Sequence, residues 1–490
     1  MGIAFDNSYA RLGEPFGVQQ APDPVQAPAL IRINEALAEE LQIDPDWLRS
    51  EAGLSALAGN ILPTGAEPFA AAYAGHQFGN FNPQLGDGRA ILLGEVVDRQ
   101  GRRRDIQLKG AGRTPWSRGG DGRSPLGPVL REYLVSEAMH AMGVPSTRAL
   151  AAVSTGERVF REGLEPGAIL TRVAASHLRI GSFEYFAARQ DHDALGTLID
   201  YTLKRHYPQQ LEADNPALAL LDAATGAIAS LIAHWQLLGF VHGVMNTDNM
   251  LLSGETIDYG PCAFMESFDP ATVFSSIDDR GRYAYGNQPG IAHWNLARLA
   301  EALLPLIDSE GEQGIESAKE VIQRFPAAFG EAHSSGVAGK LGLASLSDDS
   351  DRALAEALFE ALKEDRADFT LAFRFLADEI RPGAAGTGAG ALFEPQQALL
   401  EWLPRWKQRL TRESGDAGER QRRAFVLSPA FIPRNHLVQR AIEDGERGDF
   451  ALFHRLAERL TRPHSYEDAD RDLAVPAAPR EQVHRTFCGT

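Results

Sequence analysis

Cysteine is nearly absent from this chain. Cys262 and Cys488 are the only two in 490 residues, too few for a disulfide framework or for a structural zinc site, which recruits four Cys or His ligands as a rule. A reducing compartment is the simplest setting. The opening residues, MGIAFDNSYARLGEPF, lack a basic region followed by an apolar run, so neither a signal nor a transit peptide is expected. Asp6 stands where a myristoylation pattern needs Ser or Thr. The best apolar stretch, Pro216 to Phe240, is interrupted by Asp222, His234 and Gln236 and reads as a buried amphipathic helix rather than a membrane span. A cytoplasmic protein with no membrane partner is expected. Positive charge is also scarce: 48 basic against 66 acidic side chains leave −18, which repels a phosphate backbone at long range and argues against nucleic acid as a partner. Several motifs are missing too. Without G-x-x-x-x-G-K-[ST], a Gly-rich turn before a βαβ crossover, H-E-x-x-H, C-x-x-C or G-x-S-x-G, the chain does not read as a P-loop, dinucleotide-binding, zincin, thioredoxin-like or α/β-hydrolase protein.

What remains is ordinary for a globular protein: 44% apolar and 23% charged residues, with 47 Gly and 28 Pro, which excludes wholesale disorder, collagen and coiled coil. At roughly 150 residues per domain the length suggests about three units. Residues 1–70 are Pro-punctuated with short helical pieces such as ALIRINEALAEELQI, and are expected to wrap the core as an N-terminal extension. In residues 71–175 the pattern turns to Gly-rich loops and short strands. Alternating Ile91, Leu93 and Val96, then Ile106 and Leu108, predict an antiparallel hairpin. Ser124-Pro125 reads as an N-cap and N1 pair opening a helix that stops at Gly143. Residues 176–380 read as mainly helical, RPGAAGTGAGA (381–391) as a flexible linker, and 392–490 as a helical C-terminal extension whose last dozen residues look poorly structured. The fold class is therefore α+β, a small β-rich lobe followed by a larger helical one.

The most informative stretch is the polar loop His242-Gly243-Val244-Met245-Asn246-Thr247-Asp248-Asn249 after the long apolar helix. Nine residues on, Asp258-Tyr259-Gly260 follows, and a short hairpin through Met250, Leu251 and Leu252 can bring Asn249 and Asp258 together as two oxygen ligands for a hard cation such as Mg²⁺. Asn, Asp and Gly also dominate ordinary turns; it is the ordered set, downstream of a Gly-rich strand, a lysine and a helix, that suggests a kinase-like arrangement. Lys109 ends the strand DIQLK, and Glu132, about two turns into the next helix, can pair with it. Gly86-Asp87-Gly88-Arg89 and Gly119-Gly120-Asp121-Gly122-Arg123 are Gly-rich loops able to approach phosphates, though hairpin turns have the same composition. His76 and His177 read as structural or cleft-lining.

Together, AGHQFGNFNPQLGDGRA, QLKGAGRTPWSRGGDGRSPLGPVLREYLVSEAM, HGVMNTDNM, IDYGPCAFM and FIPRNHLVQRAIE resemble the selenoprotein O family of pseudokinase-fold protein adenylyltransferases, strongly over residues 70–300 and on to the C-terminus. The resemblance implies a protein-kinase-like bilobal fold that binds ATP in an inverted orientation. It further implies transfer of AMP to Ser, Thr or Tyr hydroxyls of proteins, itself included, with UMP transfer from UTP under Mn²⁺ as a variant. Carried over by motif, Gly86, Gly88, Arg89, Lys109, Asp121, Gly122, Arg172, Arg179 and Asp258 would contact nucleotide. Glu132 would pair with Lys109, Asn249 and Asp258 would hold Mg²⁺ or Mn²⁺, and Asp248 would accept the proton. Family members carry a Cys or selenocysteine near the C-terminus, where Cys488 stands as a redox candidate; its pairing with Cys262 stays open. Where kinases read His-Arg-Asp, this chain has His242-Gly243-Val244. A phosphotransferase and a catalytically silent ATP-binding scaffold remain the alternatives.

Overall fold

The computed structural model describes residues 2–161, 163–308, 312–346, 348–381 and 388–487. Strands and helices segregate along the chain: an antiparallel sheet fills the N-terminal part, and the remainder is mostly helical.

Eight strands form the main sheet among the described residues: β1 (Gly17–Gln19), β2 (Ala29–Ile33), β3 (Phe69–Ala71), β6 (Ala90–Val97), β7 (Arg103–Lys109), β8 (Ser124–Pro125), β9 (Arg148–Phe160) and β10 (Leu164–Ala174). Their spatial order is β1-β3-β6-β7-β10-β9-β2, with β8 alongside β10. β4 (Gly75–Gln77) and β5 (Asn80–Asn82) make a separate small hairpin, and β11 (Phe240–Val241) pairs with β12 (Ala263–Phe264). The expected hairpin is β6 and β7, with Ala90 opposite Lys109 and Leu92 opposite Gln107.

Period-two alternation gives the sheet two different faces. Ile91, Leu93, Ile106, Leu108, Ile169 and Val173 face one way, onto Ile33, Leu37, Leu41 and Leu48 from the first seventy residues. Those residues also supply both edge strands, β1 and β2, so they complete the sheet as well as covering it. ALIRINEALAEELQI is not one helix. Pairing of Ala29–Ile33 with β9 takes its first third into the sheet, and the helix Glu35–Glu40 starts only after Asn34, whose side chain caps the Leu37 amide. On the other face, Leu170, Ala149 and Ala152 meet the helix Leu126–Ala141, which is backed by the C-terminal helices Asn435–Glu446 and Ala451–Arg459. Ser124 does not cap that helix. It bridges to Ala168 in the sheet, its hydroxyl bonds the Pro125 carbonyl, and the helix begins one residue after Pro125.

The helix Pro216–Leu238 is the axis of the helical part. Asn215 caps the Leu218 amide, Pro216 occupies the first turn, and Gly239 at φ 70° ends the helix in the left-handed region. Alone among the described residues it is long and apolar enough to cross a membrane. Leu220, Leu221, Ile228, Ile232 and Trp235 are buried in the core against the helices Ile180–Ala188, His192–His206 and Gln288–Ile307, as the interrupting polar residues predict. A second core forms among the helices Phe325–Lys340, Asp349–Glu364, Phe369–Glu379, Gln397–Leu410 and Ala417–Leu427.

Two further expectations change. Of the linker 381–391, residues 382–387 lie outside the described residues, whereas Ala389 and Gly390 are buried in a short 3-10 turn. Of the last dozen residues, those described form no helix or strand, but Thr486 is anchored: it is buried, pairs with Phe274 and Ser276 through its backbone, and donates its hydroxyl to the Pro261 carbonyl at 2.5 Å. Cys488 lies outside the described residues.

Lys340 is the least comfortable group in the second core. It is 3% exposed, its Nζ sits 4.3 Å from the Phe373 ring centroid and 5.6 Å from that of Phe369, and it makes no ion pair with a described carboxylate. Burial lowers its pKa from 10.5 to about 7. Between these values the unfolded chain holds a proton that the folded chain does not, so this group makes stability rise with pH across that window. Lys340→Met is expected to raise the melting temperature most at or below pH 7. Its advantage over the parent should shrink by up to about 1.4 kcal/mol per pH unit toward pH 10; denaturant titrations of both proteins along that range check it, and a constant difference would refute it.

Candidate active site

A cleft of about 540 Å³ opens where the sheet's helix-facing side meets the 242–261 segment. It is lined by Gly86, Gly88, Arg89, Lys109, Asp121, Gly122, Arg172, Arg179, Asp248, Asn249 and Asp258, so the residues expected to bind nucleotide, metal and proton converge on one cavity. Glu132 lies behind its wall.

Strand register explains the convergence. Lys109 pairs with Leu170, and Arg172 with Gln107, so both cations project from the same face of adjacent strands, two positions apart. Glu132 comes down from the helix Leu126–Ala141 between them. Its Oε2 accepts from Lys109 Nζ at 2.6 Å and its Oε1 from Arg172 Nε at 2.7 Å. Asp258 closes the cluster: Oδ1 accepts from Lys109 at 3.0 Å and Arg172 at 2.7 Å, and Oδ2 from Arg179 at 3.2 Å. The expected Lys109–Glu132 pair is thus one edge of a five-residue network.

Burial alone would raise the Glu132 and Asp258 carboxyls. The cations outweigh it, holding Glu132 below its usual range through Arg172 and Lys109, and Asp258 well below through Arg172, Lys109 and Arg179. Within this network three positive charges meet two negative, with the Asp87 carboxylate a further 3.8 Å from Arg179, so the floor of the cleft presents cations of a kind that can meet a polyanion. Asp258 keeps 24% of its side-chain surface open, and its φ of 62° puts it in the left-handed region, where Asp pays less than most residues.

The 242–249 loop is held by bonds from every side. The buried His242 ring accepts the Val244 amide at Nδ1, so Nε2 carries the proton donated to the Ile257 carbonyl at 2.8 Å. One imidazole therefore ties this loop to the residue before Asp258. The two segments meet through β11 and β12, outside Met250–Leu252; Leu251 instead bridges to Arg179. Thr247 donates to Glu184 at 2.5 Å and accepts the His76 amide at 2.7 Å. His76 Nδ1 is 2.5 Å from the other Glu184 oxygen, and His177 pairs with Asp105 at 2.9 Å, structural places for both histidines. Asn249 donates Nδ2 to the Val244 carbonyl at 3.0 Å, which leaves its Oδ1 as the available donor atom.

Asp248 is 8% exposed. Its Oδ2 accepts from Gln77 at 3.2 Å, its Oδ1 is buried without a hydrogen-bond partner, and its backbone carbonyl takes Arg179 at 2.7 Å. Burial pushes its pKa to about 6, against the opposing pull of Arg179. Gly75 is required here, since a Cβ on it would lie 2.9 Å from Asp248 Oδ1.

The two Gly-rich loops depart from expectation in one respect. Gly86, at φ 71°, is covered by Trp116: a Cβ there would lie 2.3 Å from the indole, and one on Gly88 would lie 2.8 Å from the Trp116 carbonyl. The bare glycines serve the stacking of one loop on the other as well as lining the cleft. Asp121 is taken up by Arg161, in a two-point pair at 2.9 Å each. Gln77, Tyr73 and Glu184 join the site without a sequence expectation, and Asp87 joins it beyond its place in a Gly-rich loop. Tyr73 lies under the Arg179 guanidinium at 4.6 Å, and buried Asp87 has an oxygen 3.8 Å from Arg179; Gln77 and Asp87 lie within the long AGHQFGNFNPQLGDGRA motif, whereas Tyr73 just precedes it and Glu184 carries no sequence signal.

Asn249 and Asp258 present hard oxygen donors, which suits Mg²⁺ or Mn²⁺. Among the described residues no group of three His, Cys, Asp or Glu could hold a metal ion, so such a cation would need oxygens from a bound phosphate and water, as Mg²⁺ commonly does. Cys262 is fully buried, donates to the Tyr259 carbonyl at 3.2 Å, and is pushed up to about 12 by burial, with Arg131 opposing.

Glu132→Gln is expected to cost about 3–5 kcal/mol of stability, because Lys109 and Arg172 would lose a buried counter-charge. Thermal or denaturant unfolding checks this, and a loss below about 1 kcal/mol would refute the network's structural weight.

The sequence model of the family described as "Protein adenylyltransferase SelO" matches residues 1–461. A protein of Rhodopseudomonas palustris (strain BisB5) named "Protein nucleotidyltransferase YdiU" is 55% identical over 488 residues, 99% of either chain. Proteins of the same name from Rhizobium leguminosarum bv. trifolii (strain WSM2304) and Cereibacter sphaeroides (strain KD131 / KCTC 12085) are 55% and 56% identical. The first match covers 99% of this chain and 97% of the relative, and the second covers both chains in full.

Proposed function

The chain belongs to the protein adenylyltransferase SelO family and is a nucleotidyltransferase, and from that premise we propose that its cleft binds ATP and transfers AMP to Ser, Thr or Tyr hydroxyls of proteins, itself included. In this reading the sheet with its helix Leu126–Ala141 is the small lobe of a kinase-like fold, the helices after Ser176 are the large lobe, and the cleft lies between them. The observation that carries the chemistry is the carboxylate the loop offers. Val244 fills the place of a kinase's catalytic Asp, and Asp248 lines the cleft with one oxygen unpartnered.

Lys109, Arg172 and Arg179 would face the phosphates, their positions set by Glu132 and Asp258. Asn249 and Asp258 would hold Mg²⁺ or Mn²⁺, which when bound supplies charge neutralisation along the phosphates. Asp248 takes the proton of the acceptor hydroxyl as its oxygen bonds to the α-phosphorus. The bond from that phosphorus to the bridging oxygen of the β-phosphate breaks, and pyrophosphate leaves. With a pKa near 6, Asp248 is mostly ionised at neutral pH yet more basic than an ordinary aspartate. Gln77 holds one oxygen of that carboxylate, and Trp116, packed over Gly86, closes one side.

The test is label transfer to the protein itself and to a mixed protein lysate, run with α-labelled and γ-labelled ATP and with α-labelled UTP, under Mg²⁺ or Mn²⁺. Covalent label from the α-position alone is expected, falling at least about 100-fold in Asp248→Ala and Asp258→Ala. Asp248→Ala should retain ATP binding, since its side chain makes none of the phosphate-facing ion pairs. Label from the γ-position would mean a phosphotransferase, and bound ATP with no label from either position would mean a scaffold.

A further inference from the structure

Beside the cleft lies a second, open groove of about 470 Å³, lined by Phe78, Arg280, Arg282, Asn287, Gly290 and Ile291. Phe78 lines both cavities, so a chain lying in the groove is one side chain away from the cleft that contains Asp248. The wall is firmly joined to the loop: the Phe78 amide donates to Asn246 Oδ1 at 3.1 Å, and that oxygen also accepts Tyr283 Oη at 2.7 Å.

The charge in this groove is not consumed within the protein. Neither Arg280 nor Arg282 makes an ion pair among the described residues, in contrast to Arg102, Arg103, Arg161, Arg172 and Arg205. Asp278, the buried acid beside them, spends both oxygens on the backbone amides of Arg282 and Tyr283, at 2.9 and 2.8 Å. Asp279 is exposed. Arg282 is stacked 4.9 Å from the Trp294 ring centroid, and its Nε is buried without a partner. Arg298, also 4.9 Å from the Trp294 ring centroid, is paired with Glu301 at 2.7 Å. On a chain of net charge −18, two arginines without a counter-charge beside the cleft are a local reversal of the field. An apolar rim completes the surface: Ile277 is 54% exposed and lines the cleft, and Phe81 is 42% exposed.

Resting on the reading of Asp248 as the acceptor's base, we propose that this groove docks the protein substrate through acidic residues lying a few positions from the acceptor hydroxyl. An extended segment advances about 3.3 Å per residue, so a hydroxyl at Asp248 puts neighbouring residues across the Phe78 wall, beside Arg280 and Arg282. Aspartate or glutamate there would gain charge-assisted bonds, and the excess of acid over the rest of the surface would repel such a segment elsewhere.

The experiment measures binding and transfer separately. Two fluorescein-labelled peptides, each with one tyrosine, flanked by glutamates in one and by lysines in the other, are titrated with the full-length protein by anisotropy at low and high salt. The glutamate peptide is expected to bind about tenfold more tightly at low salt, to lose that preference at high salt, and to lose it in Arg280→Glu. Arg280 is exposed in a turn, so the variant should keep its melting temperature and ATP affinity; Arg282→Gln provides a second variant with the same expected direction. Equal binding of the two peptides, a preference unchanged in both variants, or competition by a single-stranded oligonucleotide as strong as by the glutamate peptide overturns the proposal. The same peptides then go into the α-label assay. Tight binding of the acidic peptide with no label on any protein refutes the transferase reading and leaves the groove standing. Equal labelling of both peptides refutes the groove and leaves transfer standing.

Discussion

One carboxylate holds the site together. Asp258 accepts from Lys109 on β7, from Arg172 on β10 and from Arg179 at the start of the helix Ile180–Ala188, and through Ile257 it is joined to His242. Sheet, helix and loop therefore share a single buried ionic centre. Such centres are stable only when every member is compensated, because an unpaired buried charge costs far more than a surface pair returns. Glu132 supplies the second negative charge that makes this one tolerable, and Asp87 stands 3.8 Å from its Arg179 end.

Around that centre, close packing decides which residues can be used. Trp116 lies on Gly86, Asp248 fits against Gly75, and Gly181 passes so near Ala74 that a Cβ would lie 2.1 Å from its carbonyl. These glycines are spacing elements between segments distant in sequence. Gln77 then bonds the Asp248 carboxylate from the β4–β5 hairpin, while Glu184 on the helix Ile180–Ala188 holds the neighbouring Thr247. The pKa of the Asp248 carboxyl is raised chiefly by burial, and its position depends on Gln77, 171 residues away along the chain, and on Glu184, 63 residues from Thr247.

Local pattern was a reliable guide wherever neighbours in sequence decide the outcome. The β6–β7 hairpin follows from alternation of Ile91, Leu93, Ile106 and Leu108. The helix Pro216–Leu238 follows from its apolar period and from Asn215, Pro216 and Gly239 at its ends. The pattern failed where partners are remote. Ala29–Ile33 has helical composition yet enters the sheet because β9 offers an open edge, and Ser124 has capping chemistry yet joins β10. Thr486 lies in a stretch that looks unstructured in isolation yet is held by Phe274, Ser276 and Pro261.

By itself the amino-acid sequence determined the order of chemical groups: a lysine at a strand end, a glutamate on the next helix, then an Asp-Asn pair and a second Asp after a long apolar helix. Those assignments rest on residue type and short spacing, which local backbone preferences preserve. Only the tertiary structure decided that Arg172 shares Glu132 with Lys109, that Gln77 and Tyr73 belong to the site, that Asp121 is taken up by Arg161, and that Arg280 and Arg282 stand without counter-charges beside the cleft. Each of those facts depends on strand register or on contacts between distant segments. Register and packing are set by the whole core together, and no window of neighbouring residues contains them.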